Sequence, residues 1–416
     1  MNNPRDFNWI VIFMWLQLTS IGLFAIYSAT QGPVSDFLPS YIQNNFFKQL
    51  GFVIVSIILM IIIQFISPRT FIQSSYFFYV LCIILMILTL LVGKEINGAK
   101  SWFSLGPFGI QSSELMKIAT IMAVANYLTS RRNITVDNIK YAFNSVLIIL
   151  IPTILVILQN DFGTAIIFLA LIPVMLFWSG LPYGVSLYMI SPAIILYLTV
   201  INWQLGLGSV FLLTGLIFVI QRRTWLTIAS FFTGILTSIG VRFALTEVLQ
   251  PHQVSRIIAF TNPSYDPTGA GWNVIQAKTA IGSGGFSGKG FLQGTQIQLK
   301  FLPESYTDFI FCVIGEEFGF IGAGLLVLLF LFLFIKLLSI ARNHKHPFAQ
   351  LVVVSVTAVY FIHFFINIGS ATALLPVIGI PLPFISYGGS AFLSNTLMLA
   401  IALNMDFHKR EFSIYR

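Results

Sequence analysis

The chain has 416 residues, of which 57% are hydrophobic and only 9% charged, with 41 Phe against 14 Asp plus Glu. A soluble domain carries about 25% charged residues on a largely polar surface, and a disordered chain is richer still in charge, so both classes are excluded. The formal net charge of +8 would raise nucleic acid for a soluble protein, but in a membrane protein the positive-inside rule is the simpler cause, and no nucleic-acid partner is expected.

A spanning helix needs about 20 predominantly apolar residues. In chain order the predicted spans are Trp9–Ser28, Gln49–Ile66, Tyr76–Val92, Ser113–Leu128, Val146–Leu158, Gly163–Trp178, Tyr183–Val200, Leu205–Ile220, Leu226–Val241, Phe309–Ile335, Leu351–Ile368 and Ser390–Asn404. Pro33, Pro68, Pro107, Pro182, Pro251 and Pro347 punctuate the connections, as helix breakers do. The expectation is an all-α, polytopic helical membrane protein with about 12 transmembrane helices, a single integral membrane domain over residues 1–416. The first apolar segment is long for a signal-peptide core and reads as a retained anchor.

Charge placement sets the orientation. With the N-terminus in the cytoplasm, the inner connections hold Arg69, Arg131, Arg132, Lys140, Arg222, Arg223, Arg342 and Lys345, and the tail adds Lys409, Arg410 and Arg416. Both termini are then cytoplasmic, and residues 246–308 form a large outer loop before the tenth helix. Loops of this length are usually functional.

That segment contains Arg256, Lys278, Lys289, Lys300, Asp266, Glu304 and Asp308, and a glycine run from Gly282 to Gly290. Ser283 and Gly290 occupy positions where a phosphate-binding P-loop needs Gly and Ser or Thr, and no βαβ context supports a dinucleotide fold. The run reads as a tight loop or one whose bare backbone approaches a ligand. A second irregular stretch, PVIGIPLPFISYGG from Pro376 to Gly389, cannot be a regular helix and reads as a re-entrant or cavity-lining loop, because irregular backbone at membrane depth survives only when buried in protein or lining a cavity.

Ionisable groups at a membrane face are functional candidates. Asp308 leads, although Ser305-x-x-Asp308 also matches a capping box. Glu114 and Lys117, three residues apart, can pair within one helix. Glu316 and Glu317 fit polar helix contacts, Asp161 a helix cap, and His363 a satisfied packing residue. Five His and two Cys show no metal-ligand spacing, so no protein-built metal site is expected.

Five ordered blocks then carry a resemblance: NGAKSWFSLGPFGIQSSELMKIA from Asn97, LQNDFGTA from Leu158, NPSYDPTGAGWNVIQAKTAIGSGGFSGKGFLQ from Asn262, GTQIQLKFLPESYTDFIFCVIGEEFGFIGAG ending at Gly324, and PVIGIPLPFISYGGS from Pro376. Together they resemble the SEDS family (shape, elongation, division and sporulation), and the GTQ–QL–FLPE form is closer to its elongation member than to its division member. Tyr306 and Asn160 depart from the family's common His and Pro.

The resemblance implies a peptidoglycan glycosyltransferase of the bacterial cytoplasmic membrane that polymerises lipid II on the outer face. It implies a class B penicillin-binding protein as partner and Asp308 as the catalytic acid group. About ten spans are usual in the family, so residues 202–241 read as an inserted helix pair, which preserves parity. Polymerisation needs a base for the attacking sugar hydroxyl, positive charge for the departing pyrophosphate and an apolar groove for the lipid tail. Asp308 is the expected base. Arg256, Lys117, Lys278, Lys289 and Lys300 are expected substrate-binding cations, with Glu114 beside Lys117 and Trp102 as a surface for sugar stacking. A divalent cation, Mg or Mn, could share the pyrophosphate charge. Competing readings are a lipid-linked precursor flippase and a non-enzymatic scaffold for cell-wall enzymes.

Overall fold

The structure is a computed structural model and describes residues 7–32, 39–96, 98–105, 108–130, 139–249, 251–265 and 269–411. Pro33, Pro107, Arg131, Arg132, Asp266 and Arg416 lie outside the described residues, as does the side chain of Arg256.

The helices in order are α1 (Trp9–Gln31), the single turn α2 (Ser40–Gln43), α3 (Asn45–Gln64), α4 (Pro68–Val92), α5 (Ser112–Thr129), α6 (Ile139–Leu158), α7 (Phe162–Trp178), α8 (Tyr183–Ile201), α9 (Trp203–Gln221), α10 (Thr224–Phe243), α11 (Pro251–Thr261), α12 (Ala270–Ser283), the single turn α13 (Thr295–Gln298), α14 (Ile310–Asn343), α15 (Pro347–Ala371) and α16 (Gly389–Phe407). Among the described residues ten helices are long and apolar enough to cross a membrane. The other two predicted spans correspond to α7, of 17 residues, and α5, whose Glu114 and Lys117 dilute its apolar run.

Burial separates core helices from the lipid-facing shell. Of the apolar windows, 67% of α15 and 83% of α16 are buried, against 28% of α3 and 22% of α4. The central helices carry small and polar residues that bond between helices, as packing in lipid requires. The Tyr360 hydroxyl donates to the Asn395 carbonyl (2.6 Å) and the Asn404 amide to that of Ile63 (2.8 Å). The outer helices present Phe77, Leu91 and Ile58 outward. Pro68 and Pro347 sit in the first turns of α4 and α15, where a missing N–H costs nothing.

Three regions differ from the sequence expectation. Against the all-α expectation, the stretch around Trp102 is a three-stranded antiparallel sheet, β1 (Lys94–Ile96), β2 (Ala99–Leu105) and β3 (Phe108–Gln111), with Trp102 opposite both Lys94 and Gln111. The segment 246–308 is not one open loop, since it contains α11, α12 and α13.

α14 is the third departure. Its sequence reads as one continuous apolar run, but the backbone breaks at Gly319 (φ 64°, ψ −159°). Only glycine readily adopts that conformation. A Cβ there would lie 2.3 Å from the Gly288 nitrogen. Lys289 N and Gly290 N donate to the carbonyls of Glu316 and Glu317 (3.0 and 2.9 Å). The glycine run thus lies against the backbone of the broken helix.

Candidate active site

A cavity of about 620 Å³ opens where α14 begins. Trp102 of β2, Asp161 and Phe162 at the start of α7, Ile257 of α11, Glu304, Thr307 and Asp308 before α14, and, after α15, Pro376–Gly379, Pro381, Tyr387 and Gly388 line it. Of the two readings of the irregular Pro376–Gly389 stretch, re-entrant or cavity-lining, the second holds for seven of its residues.

Asp308 is held through its backbone. The Asn367 amide of α15 donates to the Asp308 carbonyl (3.0 Å) and to the Ile380 carbonyl (2.8 Å). The Ser386 hydroxyl donates to Thr307 O (2.6 Å), and Tyr387 N to Tyr306 O (2.9 Å). These bonds tie both sides of the cavity wall to the Asp308 turn. Gly379, at φ 79°, faces it, for a Cβ there would sit 3.5 Å from Asp308 Oδ2. α14 itself starts at Ile310, with Phe309 at its cap and no side-chain cap bond. The Ser305-x-x-Asp308 pattern consequently falls ahead of the helix and does not act as its capping box.

Asp161 meets the cap expectation and also lines the cavity. It accepts from Thr164 N (3.0 Å), Thr164 Oγ1 (2.9 Å) and Gln111 Nε2 (2.8 Å). A cap of this kind is worth about 1 kcal/mol, and the bond to β3 fixes the sheet that carries Trp102.

The predicted substrate-binding residues divide by location. Trp102 lines the cavity; Glu114, Lys117, Lys278, Lys289 and Lys300 are not among its lining residues. Lys117 is fully buried, 2.9 Å from Glu114 Oε1 and 3.2 Å from His363 Nε2. His363 Nδ1 in turn lies 2.9 Å from the Pro381 carbonyl, so the cluster supports the cavity wall from within. Lys289 pairs with Glu316 at 2.7 Å, and Glu316 also accepts from Gln296 N and Ile297 N (2.9 and 3.1 Å). Lys300 donates to the Ala29 carbonyl at the end of α1. Lys278 is exposed on α12. Arg256 lies on α11, one residue before the cavity-lining Ile257.

Sequence reasoning passed over Asp161, Gln111 and Glu304 as cavity residues. Each lies inside a recognisable block, but their convergence depends on the fold. Among the described residues no group of three or more His, Cys, Asp or Glu is placed to hold a metal ion, and the Asp161 carboxylate is already occupied by three donors. The described residues do not form a resident metal cage.

The model of the cell cycle protein family FtsW/RodA/SpoVE matches residues 8–209 and 185–411. The chain is similar to the peptidoglycan glycosyltransferase RodA of Treponema pallidum (strain Nichols), with 33% identity over 98% of each chain. It is also similar to the peptidoglycan glycosyltransferase MrdB of Escherichia coli (strain K12), with 32% identity over 88% of this chain and 86% of the relative. Among solved structures, a chain of a peptidoglycan synthase complex that coordinates polymerization and crosslinking shares the fold. Its TM-score is 0.72, with 24% identity over 97% of this chain and 98% of that one.

Proposed function

We infer that this chain, which belongs to the FtsW/RodA/SpoVE family, is a peptidoglycan glycosyltransferase that polymerises lipid II during cell elongation, with Asp308 as general base. The observation that carries the assignment of Asp308 is its place in the cavity, on a turn tied to the opposite wall by Asn367, Ser386 and Tyr387.

In the proposed step a sugar hydroxyl of one substrate attacks the anomeric carbon of another. The Asp308 carboxylate takes the hydroxyl proton as the new carbon–oxygen bond forms. The bond from the anomeric carbon to the pyrophosphate breaks, and its electron pair leaves on the lipid pyrophosphate. Proton transfer by a positioned carboxylate contributes about 10²–10⁴-fold to rate. Trp102 provides an aromatic face for a sugar, and Arg256 is the proposed cation for the pyrophosphate. Lys117 and Glu114 are assigned a supporting role beneath the wall, because they lie outside the cavity lining. The active site faces the outside of the cytoplasmic membrane in this reading, both termini are inside, and a class B penicillin-binding protein supplies crosslinking.

Asp308→Asn tests the assignment. Purified with its penicillin-binding partner and supplied with lipid II, the variant should keep expression and complex formation but lose at least about a hundredfold in glycan polymer. Near-parental polymer from a folded variant would remove Asp308 from the mechanism. Translocation of lipid II in vesicles without polymerisation by the parent would favour the flippase reading. Repeating the parental reaction with a chelator tests whether Mg or Mn accompanies the pyrophosphate.

A further inference from the structure

A second cavity lies at the far end of the molecule. Asp308 precedes α14, whereas Lys336 in the last two turns of this helix, Asn343 at its end and Lys345 just beyond it line the second cavity. The part of α14 beyond its break at Gly319, some 24 residues to Asn343, alone spans about 36 Å. The cavity, about 760 Å³, is closed by the start of α1 and by Asp406, Lys409 and Arg410 at the end of α16. Four cations face it, Lys336, Lys345, Lys409 and Arg410, with Asp406 as the lining carboxylate. Asp406 accepts from Asn8 (3.1 Å) and lies 3.9 Å from Lys409.

Lys336 is the informative residue. It is half-buried, seven positions before the last residue of α14, and so about 10 Å inside the helix end. Among the described residues it has neither an ion-pair nor a hydrogen-bond partner. An ammonium at that depth is costly unless an anion meets it or its stem carries it to a polar surface. The N-terminus of α1 adds to the positive field. Its first turn has no acidic residue, and Asn8 makes no side-chain cap bond there. Trp9 and Ile10, 62% and 52% exposed, add an apolar rim to the cavity.

We propose that this cavity binds the headgroup phosphate of an anionic phospholipid, with its acyl chains running past the Trp9–Ile10 rim. Four cations around a half-buried recess at a helix-bundle end provide the charge. The apolar rim favours a lipid over a soluble anion, because basic pockets between transmembrane helices suit anionic lipid headgroups. The site is separate from the Asp308 cavity, and its test does not depend on polymerisation.

The test is native mass spectrometry of the purified full-length protein in non-ionic detergent, titrated with phosphatidylglycerol or phosphatidylcholine. The parent should prefer phosphatidylglycerol. Lys336→Gln combined with Lys345→Gln should bind it about thirtyfold more weakly. Arg222→Gln with Arg223→Gln, which removes equal charge from the α9–α10 turn, should leave binding unchanged. Lys336→Arg, which keeps the charge, should retain binding and guards against misfolding as the cause. Equal binding by parent and the double lysine variant would overturn the proposal. So would equal affinity for the two lipids, loss of binding in Lys336→Arg, or displacement of phosphatidylglycerol by excess inorganic phosphate, which would mark a soluble-anion site.

Discussion

Buried charge gives the sharpest tests among single residues. Lys117 and Glu114 are paired, with side chains 0% and 5% exposed. Breaking one partner of such a pair costs about 3–5 kcal/mol, while replacing both by apolar groups is often neutral. Lys117→Met should therefore lower the thermal midpoint in detergent sharply, and Lys117→Met with Glu114→Leu should recover much of it. A double variant no better than the single one would show that the pair is not the main cause. Lys300 offers a pH test. Burial pulls its ammonium down to about 8, whereas an unfolded lysine titrates near 10.4. Between those values the unfolded chain holds the extra proton, so the contribution of Lys300 to stability rises with pH across that window and is least favourable below about 8. Isotope-labelled dimethyl-lysine NMR should show the Lys300 signal, identified by Lys300→Arg, titrating near 8. A midpoint near 10.4 would contradict its burial against Ala29. Sequence alone presents Lys300 and Lys289 as two more loop cations, because their partners, Ala29 and Glu316, are distant in the chain.

At the scale of elements, the broken α14 and the glycine run form one unit. Gly319 lies in a region of backbone space open essentially to glycine, and a Cβ would collide with Gly288. Gly319→Ala should cost at least about 1–3 kcal/mol in strain alone, read as a lower thermal midpoint or a smaller monodisperse fraction in detergent. Gly324→Ala, in the same helix with nothing within 4 Å of its added Cβ, is the matched control and should be nearly silent. Equal effects would refute the strain argument. The contrast also shows how far the sequence was legible. Apolar runs located the spanning helices because lipid imposes length and composition directly. The Pro-rich cavity wall was equally readable, since three Pro and three Gly in Pro376–Gly389 cannot make a helix. The sheet around Trp102 was not, because strands of three to seven residues carry too short a period to separate from a loop. The break at Gly319 was hidden for another reason: its glycine is one of several in an apolar run, and only the approach of Gly288 gives it a role.

Over the whole molecule, α9 and α10 pack beside the machinery around Asp308 and meet it at one end, where α10 runs on through a π-helical turn, Ala244–Val248, to the cavity-lining Leu249. They pack on α8 and on each other. Ile195, Val210 and Leu213 form a small buried cluster of their own beside the main core, while Phe211, Leu212, Phe232 and Leu236 face outward. We propose residues 202–241 as an inserted pair on this separate packing, while the family model matches residues 8–209 and 185–411 and so runs through them. Arg242 sits 5.7 Å over the Trp203 ring, so the two ends of the pair are close in space. Removing both helices preserves parity and keeps residues 246–308 on one side of the membrane. A chain lacking residues 202–241, bridged by a short Gly/Ser linker, should therefore fold and polymerise lipid II within a few-fold of the parent, as expected when a change shares no partners with the site. The control is the same deletion carrying Asp308→Asn, which should be inactive. If the shortened chain stays monodisperse and keeps its thermal midpoint yet makes no polymer, α9 and α10 are part of the catalytic machinery, and the division of the molecule into a core and an appended pair is wrong.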